Sequence, residues 1–181
     1  MVRTIEVVEH DPSWAATFEL EAIALSRVFG NSVVDIHHIG STSVRGLSAK
    51  PIVDMLVVLR ETLTIDRFDF AMEGLGYRVR GECLDAEVPG TPGRFYFSKD
   101  TGGVRTHHVH VCAESHPQVF DLLAMRDYLR SHPERAGQYG AVKRDLAVRH
   151  RNDNVSYMRG KDTFVKALIE EARAWVGSLR A

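Results

Sequence analysis

One stretch of the sequence reads His37-His38-Ile39-Gly40-Ser41-Thr42 and resumes as Lys50-Pro51-Ile52-Val53-Asp54-Met55-Leu56-Val57-Val58-Leu59. This pattern predicts a strand, a Gly-Ser turn, a short helix and then a buried strand that carries one acidic residue. Gly40 lets the backbone approach a ligand closely, and Ser41 adds a hydroxyl beside exposed amides, a combination that suits phosphate oxygens. Asp54 would be a carboxylate on rigid apolar β-structure, where it can bind a metal or exchange a proton.

Length and composition indicate an ordinary globular protein. The chain has 181 residues and a formal net charge of −1, so its overall charge gives no strong nucleic-acid or membrane signal. No apolar run reaches the roughly 20 residues of a membrane span, and the first residues lack a signal-peptide core. Cys83 and Cys112 have no CxxC spacing. We therefore expect a cytoplasmic protein with reduced thiols; the sequence does not indicate an oligomeric state.

The order of predicted elements indicates an α/β (α+β) fold with a mixed β-sheet flanked by helices. The expected elements are a helix from Asp11-Pro12 to Gly30, strands over 32–39 and 52–59, a helix over 64–73, a strand over 77–83, and a hairpin of 94–99 and 105–112 around 100–103. From Ser115 onward the pattern is helical, with Pro117 and Pro133 in first turns and Asp153 capping the last of three helices. We expect an α/β core over 1–114 and C-terminal helices over 115–181, packed as one compact unit.

A histidine-rich strand carries the second chemical signal. In Arg105-Thr106-His107-His108-Val109-His110-Val111-Cys112, alternation places His108 and His110 on one face of the strand. If this strand lies beside the one that carries Asp54, the three side chains converge on one face of the sheet. Such a set can hold a divalent metal or move a proton, and these are the predicted catalytic and metal residues. The alternative is a structural role, in which the histidines only hydrogen-bond neighbouring groups.

Basic residues near these motifs are the next candidates. Lys50 can cradle a phosphate together with Gly40 and Ser41, or it is a solvated loop charge. Arg105, with Arg94 and Lys99, can ring an anionic ligand, or these residues are solvated edge-strand charges.

The C-terminal helices offer a further pair of substrate-binding candidates. Tyr157 and Lys161 are four residues apart, so a stacking ring and a phosphate-binding ammonium can share one helix face. Arg126 and Arg130 share a face in the same way. The alternative for both pairs is a solvent-exposed face without a ligand.

The two histidines before the Gly-Ser turn point to opposite faces of their strand. His38 is the better candidate for a site residue, and a structural histidine is the expectation.

Several separated blocks of sequence resemble the GrpB family. They are Asp11-Pro12-Ser13-Trp14, His38-Ile39-Gly40-Ser41-Thr42-Ser43-Val44 with Gly46-Leu47, Ala49-Lys50-Pro51-Ile52-Val53-Asp54, Arg105 to Val111, Arg126-Asp127-Tyr128-Leu129-Arg130 with His132-Pro133, and the Tyr157/Lys161 pair. This family is related to the nucleotidyltransferase superfamily and is sometimes fused to dephospho-CoA kinase. The resemblance implies a nucleotidyltransferase-like core with a helical C-terminal part. It also implies a nucleotide or other phosphorylated small molecule as ligand.

The sequence departs from the nucleotidyltransferase pattern at the metal site. Two-metal enzymes of that kind usually carry a second acid two residues after the first, where this chain has Leu56. A set of one aspartate and two histidines suits Mg²⁺ poorly and suits Mn²⁺ or Zn²⁺ better, so the metal's identity stays open. Two hypotheses follow. The chain is a nucleotidyltransferase-like enzyme that uses a divalent metal to act on an unknown acceptor, or it is a non-catalytic ligand-binding or accessory module.

Overall fold

The computed structural model describes residues 4–82 and 91–179. Its strands are β1 (Val33–Ile39), β2 (Val53–Leu59), β3 (Tyr77–Glu82), β4 (Arg94–Thr101) and β5 (Val104–Ala113). Its α-helices are α1 (Ser13–Phe29), α2 (Asp69–Gly74), α3 (Pro117–Ser131), α4 (Pro133–Arg149) and α5 (Asn154–Leu179). No helix in these two described ranges combines the length and apolar character needed to cross a membrane.

The five strands form one mixed sheet in the order β1-β2-β5-β4-β3. The β2–β5 pair is parallel, and the other three pairs are antiparallel. Central strand β2 is buried at every position except Asp54, as its nearly continuous apolar run predicts. The predicted fold class, a mixed sheet flanked by helices with a helical C-terminal part, is confirmed.

The element bounds differ from the sequence prediction in several places. Helix α1 begins at Ser13, after the predicted Asp11-Pro12 start. The stretch predicted as one helix over 64–73 is a 3-10 turn, Ile65–Phe68, followed by α2. In the hairpin, Gly102 and Gly103 alone make the turn, because both adopt the positive φ that a two-residue hairpin turn requires. The predicted strand end at Cys83 and part of the predicted loop over 88–93 lie outside the described residues.

The chain forms two compact units. The sheet unit contains residues 13–39 and 52–119, with all five strands. The helical unit contains residues 4–12, 40–51 and 120–179 of the described chain. The expected division at residues 114 and 115 stays a prediction, because both units are discontinuous in sequence.

Hydrophobic packing inside the helical unit fixes the loop over 40–51. Val44 and Leu47 of this loop are buried against Leu129, Tyr139 and Leu168 of the C-terminal helices. Burial of such side chains stabilises the fold by about 1.5–3 kcal/mol each, and here it anchors the loop to the C-terminal helices.

Candidate functional site

The first candidate site lies on one face of the sheet and is called here the sheet cluster. It consists of Asp54, Tyr96, Arg105, His108 and His110. The parallel β2–β5 register sets Asp54 beside His108, and the β4–β5 register sets Tyr96 opposite His110. Because paired residues of neighbouring strands share a face, the structure brings together the aspartate and both histidines that the sequence analysis selected.

His108 is held at both ring nitrogens. Its Nδ1 lies 2.9 Å from Asp54 Oδ1, and its Nε2 lies 3.2 Å from Arg105 Nη1. A guanidinium only donates hydrogen bonds, so Nε2 accepts, and the ring proton is on Nδ1, where it donates to Asp54. The contacts therefore define a neutral imidazole in one tautomer, oriented by a carboxylate.

Arg105 is fixed in place by neighbours on β4. Its Nε donates to Asp100 Oδ1 at 2.5 Å, and its Nη1 donates to Tyr96 Oη at 3.1 Å. The side chain is 9% exposed, and its charge is balanced by a carboxylate. These contacts hold the His108 ring from the side opposite Asp54. Ligand binding by Arg105 stays a prediction.

His110 differs from His108 in its hydrogen bonding. Its ring stacks on Tyr96 with centroids 5.3 Å apart, and its Nδ1 is buried without a hydrogen-bond partner among the described residues. Burial lowers the pKa of His110 to about 3, and the nearby charge of Arg94 acts in the same direction. This environment keeps the imidazole neutral and does not favour proton exchange at His110 near neutral pH.

The arrangement of the sheet cluster does not suit a divalent cation. His108 already uses both nitrogens, and the Arg105 guanidinium lies where it would repel an ion bound to Nε2. Within the two described ranges, no three His, Cys, Asp or Glu side chains form a group that could hold a metal. Metal binding by Asp54, His108 and His110 stays a prediction.

His37 and His38, the two histidines of strand β1, lie on opposite faces of the sheet. His38 is paired with Met55, so it lies on the face of the sheet opposite Asp54, where it stacks on Phe18 with centroids 4.9 Å apart. The expected structural role of His38 fits this packing. His37 lies on the Asp54 face and contacts Asp35 at 3.4 Å.

The second candidate site, called here the loop cluster, lies in the helical unit at the Gly-Ser turn. It consists of Gly40, Ser41, Ser43, Arg130 and Lys143. Gly40 has φ 66° and ψ −169°, a conformation open only to glycine, and Ser43 Oγ donates to its carbonyl at 2.7 Å. Arg130 donates to the Ser43 carbonyl from Nε at 3.1 Å and Nη2 at 2.9 Å. The turn is therefore fixed by hydrogen bonds on both sides.

Lys143 brings a buried positive charge to this turn. Its ammonium donates to Ser41 Oγ at 2.7 Å and to the Ser48 carbonyl, and it lies 4.5 Å from the centre of the Tyr139 ring. The residue is only 3% exposed. A buried ammonium is costly unless oxygen atoms and aromatic faces surround it, and here both do. Ser41 thus has a cation fixed behind its hydroxyl.

Sequence reasoning missed Lys143, although a signal was present. Along α4 the buried positions recur every three or four residues, at Ala136, Tyr139, Lys143 and Leu146. A lysine on an otherwise apolar stripe indicates a specific buried contact. Arg130 is exposed, as the alternative for its pair with Arg126 expects, and it also bonds the loop backbone at Ser43.

The predicted Tyr157/Lys161 pair has a different geometry from a stacking site. Lys50 and Lys161 lie over the same Tyr157 ring, at 5.0 and 5.6 Å from its centre, and Lys50 also donates to Asn154. Tyr157 is 1% exposed, and burial raises its pKa to about 12. The ring supports two ammonium groups and has no free face for a ligand base, so of this pair Lys161 is the better candidate for a ligand contact.

Comparison with known proteins identifies the family. The sequence model described as GrpB protein matches residues 4–171. The chain belongs to the GrpB family. It is 40% identical over 173 residues to the UPF0157 protein YqkA of Bacillus subtilis (strain 168), covering 96% of this chain and 48% of YqkA. The chain thus spans about half the length of this curated relative.

Solved structures support the same assignment. The crystal structure of conserved protein GrpB from Enterococcus faecalis matches with a TM-score of 0.84 and 37% identity, covering 94% of this chain and 99% of that one. The Cid1 poly(U) polymerase matches with a TM-score of 0.50 and 13% identity, covering 76% of this chain and 41% of Cid1. This second likeness concerns the fold alone, and it confirms the expected nucleotidyltransferase-like architecture.

Proposed function

We propose that this GrpB-family chain binds a nucleotide or another phosphorylated ligand at the Gly40–Ser41 turn. The contact from Lys143 to Ser41 Oγ carries the proposal. Because the serine oxygen accepts a hydrogen bond from an ammonium, its own proton is directed to another acceptor, and the hydroxyl becomes a stronger donor. A phosphate oxygen is the acceptor that such a polarised hydroxyl, backed by positive charge, favours.

The local charge around the loop supports an anionic ligand. Basic side chains from the loop and all three C-terminal helices surround residues 40–51: Lys50, Arg130, Lys143, Arg144 and Lys161. Burial and the neighbouring Arg126 lower the pKa of Arg130, as expected where cations are crowded. The whole chain has a net charge of only −1, so this concentration of positive charge is local. A phosphate would relieve the repulsion among these cations.

Nucleotidyl transfer is the catalytic form of this proposal. An acceptor hydroxyl would attack the α-phosphorus, the bond to the bridging oxygen would break, and pyrophosphate would leave. The chain carries a candidate general base for this form in the sheet unit, where Asp54 orients His108 and Nε2 could accept a proton once Arg105 turns away from it. The non-catalytic binding module is the alternative.

These two forms are separated by turnover measurements. If the chain is an enzyme, Asp54→Asn and His108→Asn should abolish pyrophosphate release and leave ATP binding within about threefold of the unchanged chain, since the loop cluster stays intact. Absence of pyrophosphate release from the unchanged chain across a panel of acceptors, with ATP still bound, would favour the accessory module.

The binding proposal is tested by thermal unfolding with ATP and with inorganic pyrophosphate, each with and without Mg²⁺ or Mn²⁺. A ligand at about one hundred times its Kd should stabilise the protein by roughly 2.7 kcal/mol. Ser41→Ala should reduce this shift, whereas Ser26→Ala, an exposed serine on α1, should not. No shift in Tm with either ligand would contradict the proposal.

A further inference from the structure

One face of helix α1 is exposed and partly apolar. Its exposed residues, called here the α1 stripe, are Ala16, Glu19, Leu20, Ile23 and Arg27. At 100° per residue these positions fall within an arc of about 100°, so they form one continuous face of the helix. We propose that two copies of this chain pair through the α1 stripe.

The stripe exposes more apolar surface than a solvated helix face requires. Leu20 is 72% exposed and Ile23 is 52% exposed, and across a groove Val34 of strand β1 is 40% exposed. The groove between α1 and β1 is lined by residues of both elements, among them Glu19, Ile23, Arg27 and Val34. Adjacent apolar side chains beside a groove with a polar rim are typical of a protein-binding surface.

The charges on the stripe indicate which partner fits. Glu19 and Arg27 lie four residues before and after Ile23. A two-fold axis at Ile23 with the helices antiparallel therefore places Glu19 of each copy against Arg27 of the other. Isologous pairing requires this self-complementarity, and a foreign partner does not.

Both charged groups are available for such contacts. Neither Glu19 nor Arg27 has an ion-pair partner within the part of the chain that the structure describes. In the paired state, Leu20 and Ile23 of both copies form the apolar centre, and two symmetric ion pairs flank it. The inference rests on neither ligand binding nor the sheet cluster.

Analytical ultracentrifugation of the full chain with charge-reversal variants tests this pairing. Glu19→Arg sets two like-charge contacts across the axis, as does Arg27→Glu, so each single variant should weaken the dimer at least about tenfold. The double variant, Glu19→Arg with Arg27→Glu, restores both opposite-charge contacts and should return to within about threefold of the original affinity. Arg159→Glu, an exposed reversal on α5, is the matched control and should leave the affinity unchanged.

A mixing experiment gives an independent readout. The Glu19→Arg chain carries two positive charges at these positions and the Arg27→Glu chain carries two negative ones, so the mixture should form heterodimers although each alone stays monomeric. Circular dichroism verifies that every variant is folded. A chain that stays monomeric at all concentrations, or folded single variants that dimerise as tightly as the unchanged chain, would overturn the proposal. So would a mixture of the two folded single variants that remains monomeric.

Discussion

Lys143 is the residue on which ligand binding depends most in this account. Its ammonium is the group that couples the α4 helix to the Ser41 hydroxyl. Lys143→Met keeps the length and apolar part of the side chain and removes the charge. We expect roughly a 10- to 100-fold loss of affinity for pyrophosphate, because a hydrogen bond to a charged group contributes about 1.5–3 kcal/mol. Isothermal titration calorimetry measures this change.

Lys166→Met is the matched control for that substitution. Lys166 is an exposed lysine on α5 that pairs with Asp162, so its loss should leave pyrophosphate affinity unchanged. Equal losses in the two variants would mean that general surface charge, and not the loop cluster, attracts the anion.

The lowered pKa of His110 makes the stability of the fold depend on pH. The folded protein holds the pKa of His110 at about 3, below its ordinary value of 6.5. Between these values the unfolded chain binds a proton that the folded chain does not, so this contribution is complete above about pH 6.5 and is lost as pH falls toward 3. His110→Phe, which cannot titrate, should flatten the fall in urea midpoint across this range.

The packing cost of that substitution is measured separately at pH 8, where His110 is neutral in both states. Subtracting this packing cost from the stability difference at lower pH leaves the contribution of His110 titration. The buried His107, whose pKa is also lowered by burial, gives a residual slope in both proteins. Parallel curves for the two proteins from pH 8 to 4 would contradict the assigned environment of His110.

At the scale of elements, the sequence predicted the strands and their faces because short-range rules determine them. The apolar run of β2 and the alternation along β5 place Asp54, His108 and His110 on one face once these strands are neighbours. The Asp153 cap on α5 was predicted for the same reason: a side chain bonds the backbone three residues later.

The parts that sequence reasoning missed depend on contacts between distant segments. Lys143 meets Ser41 across 102 positions of sequence, and Arg130 meets Ser43 across 87. The Arg105 contact that occupies His108 Nε2 depends on the twist and register of the β4–β5 hairpin. Periodicity identifies the buried stripe of a helix, but it does not specify what packs against it.

The α4–α5 packing gives a prediction at the element scale. A Cβ at Gly160 would lie 2.5 Å from Leu146 Cδ2, and Leu146 belongs to a buried cluster with Tyr157. Gly160→Ala should therefore lower the free energy of unfolding by about 1–3 kcal/mol, as overpacked substitutions do. Gly137→Ala on α4 meets nothing within 4 Å and should raise it by roughly 0.5–1 kcal/mol through helix propensity. Chemical denaturation of both variants measures the difference; stabilisation by both would mean that the two helices are not packed at Gly160.

At the scale of the whole molecule, the functional groups fall into two sets. The sheet unit holds a carboxylate-oriented histidine, and the helical unit holds a cation-backed Gly-Ser turn. The loop cluster favours phosphate binding without any metal. The sheet cluster supplies acid–base chemistry only if Arg105 releases His108. Ligand binding therefore needs only the groups already in place, whereas turnover needs a rearrangement at His108.

The most direct test of ligand binding is a crystal structure of the protein grown with ATP. We expect phosphate density at the Gly40–Ser41 turn, with a phosphate oxygen within hydrogen-bond distance of Ser41 Oγ and the Lys143–Ser41 contact retained. Nucleotide bound elsewhere, with the turn and its lysine unchanged and empty, would contradict it.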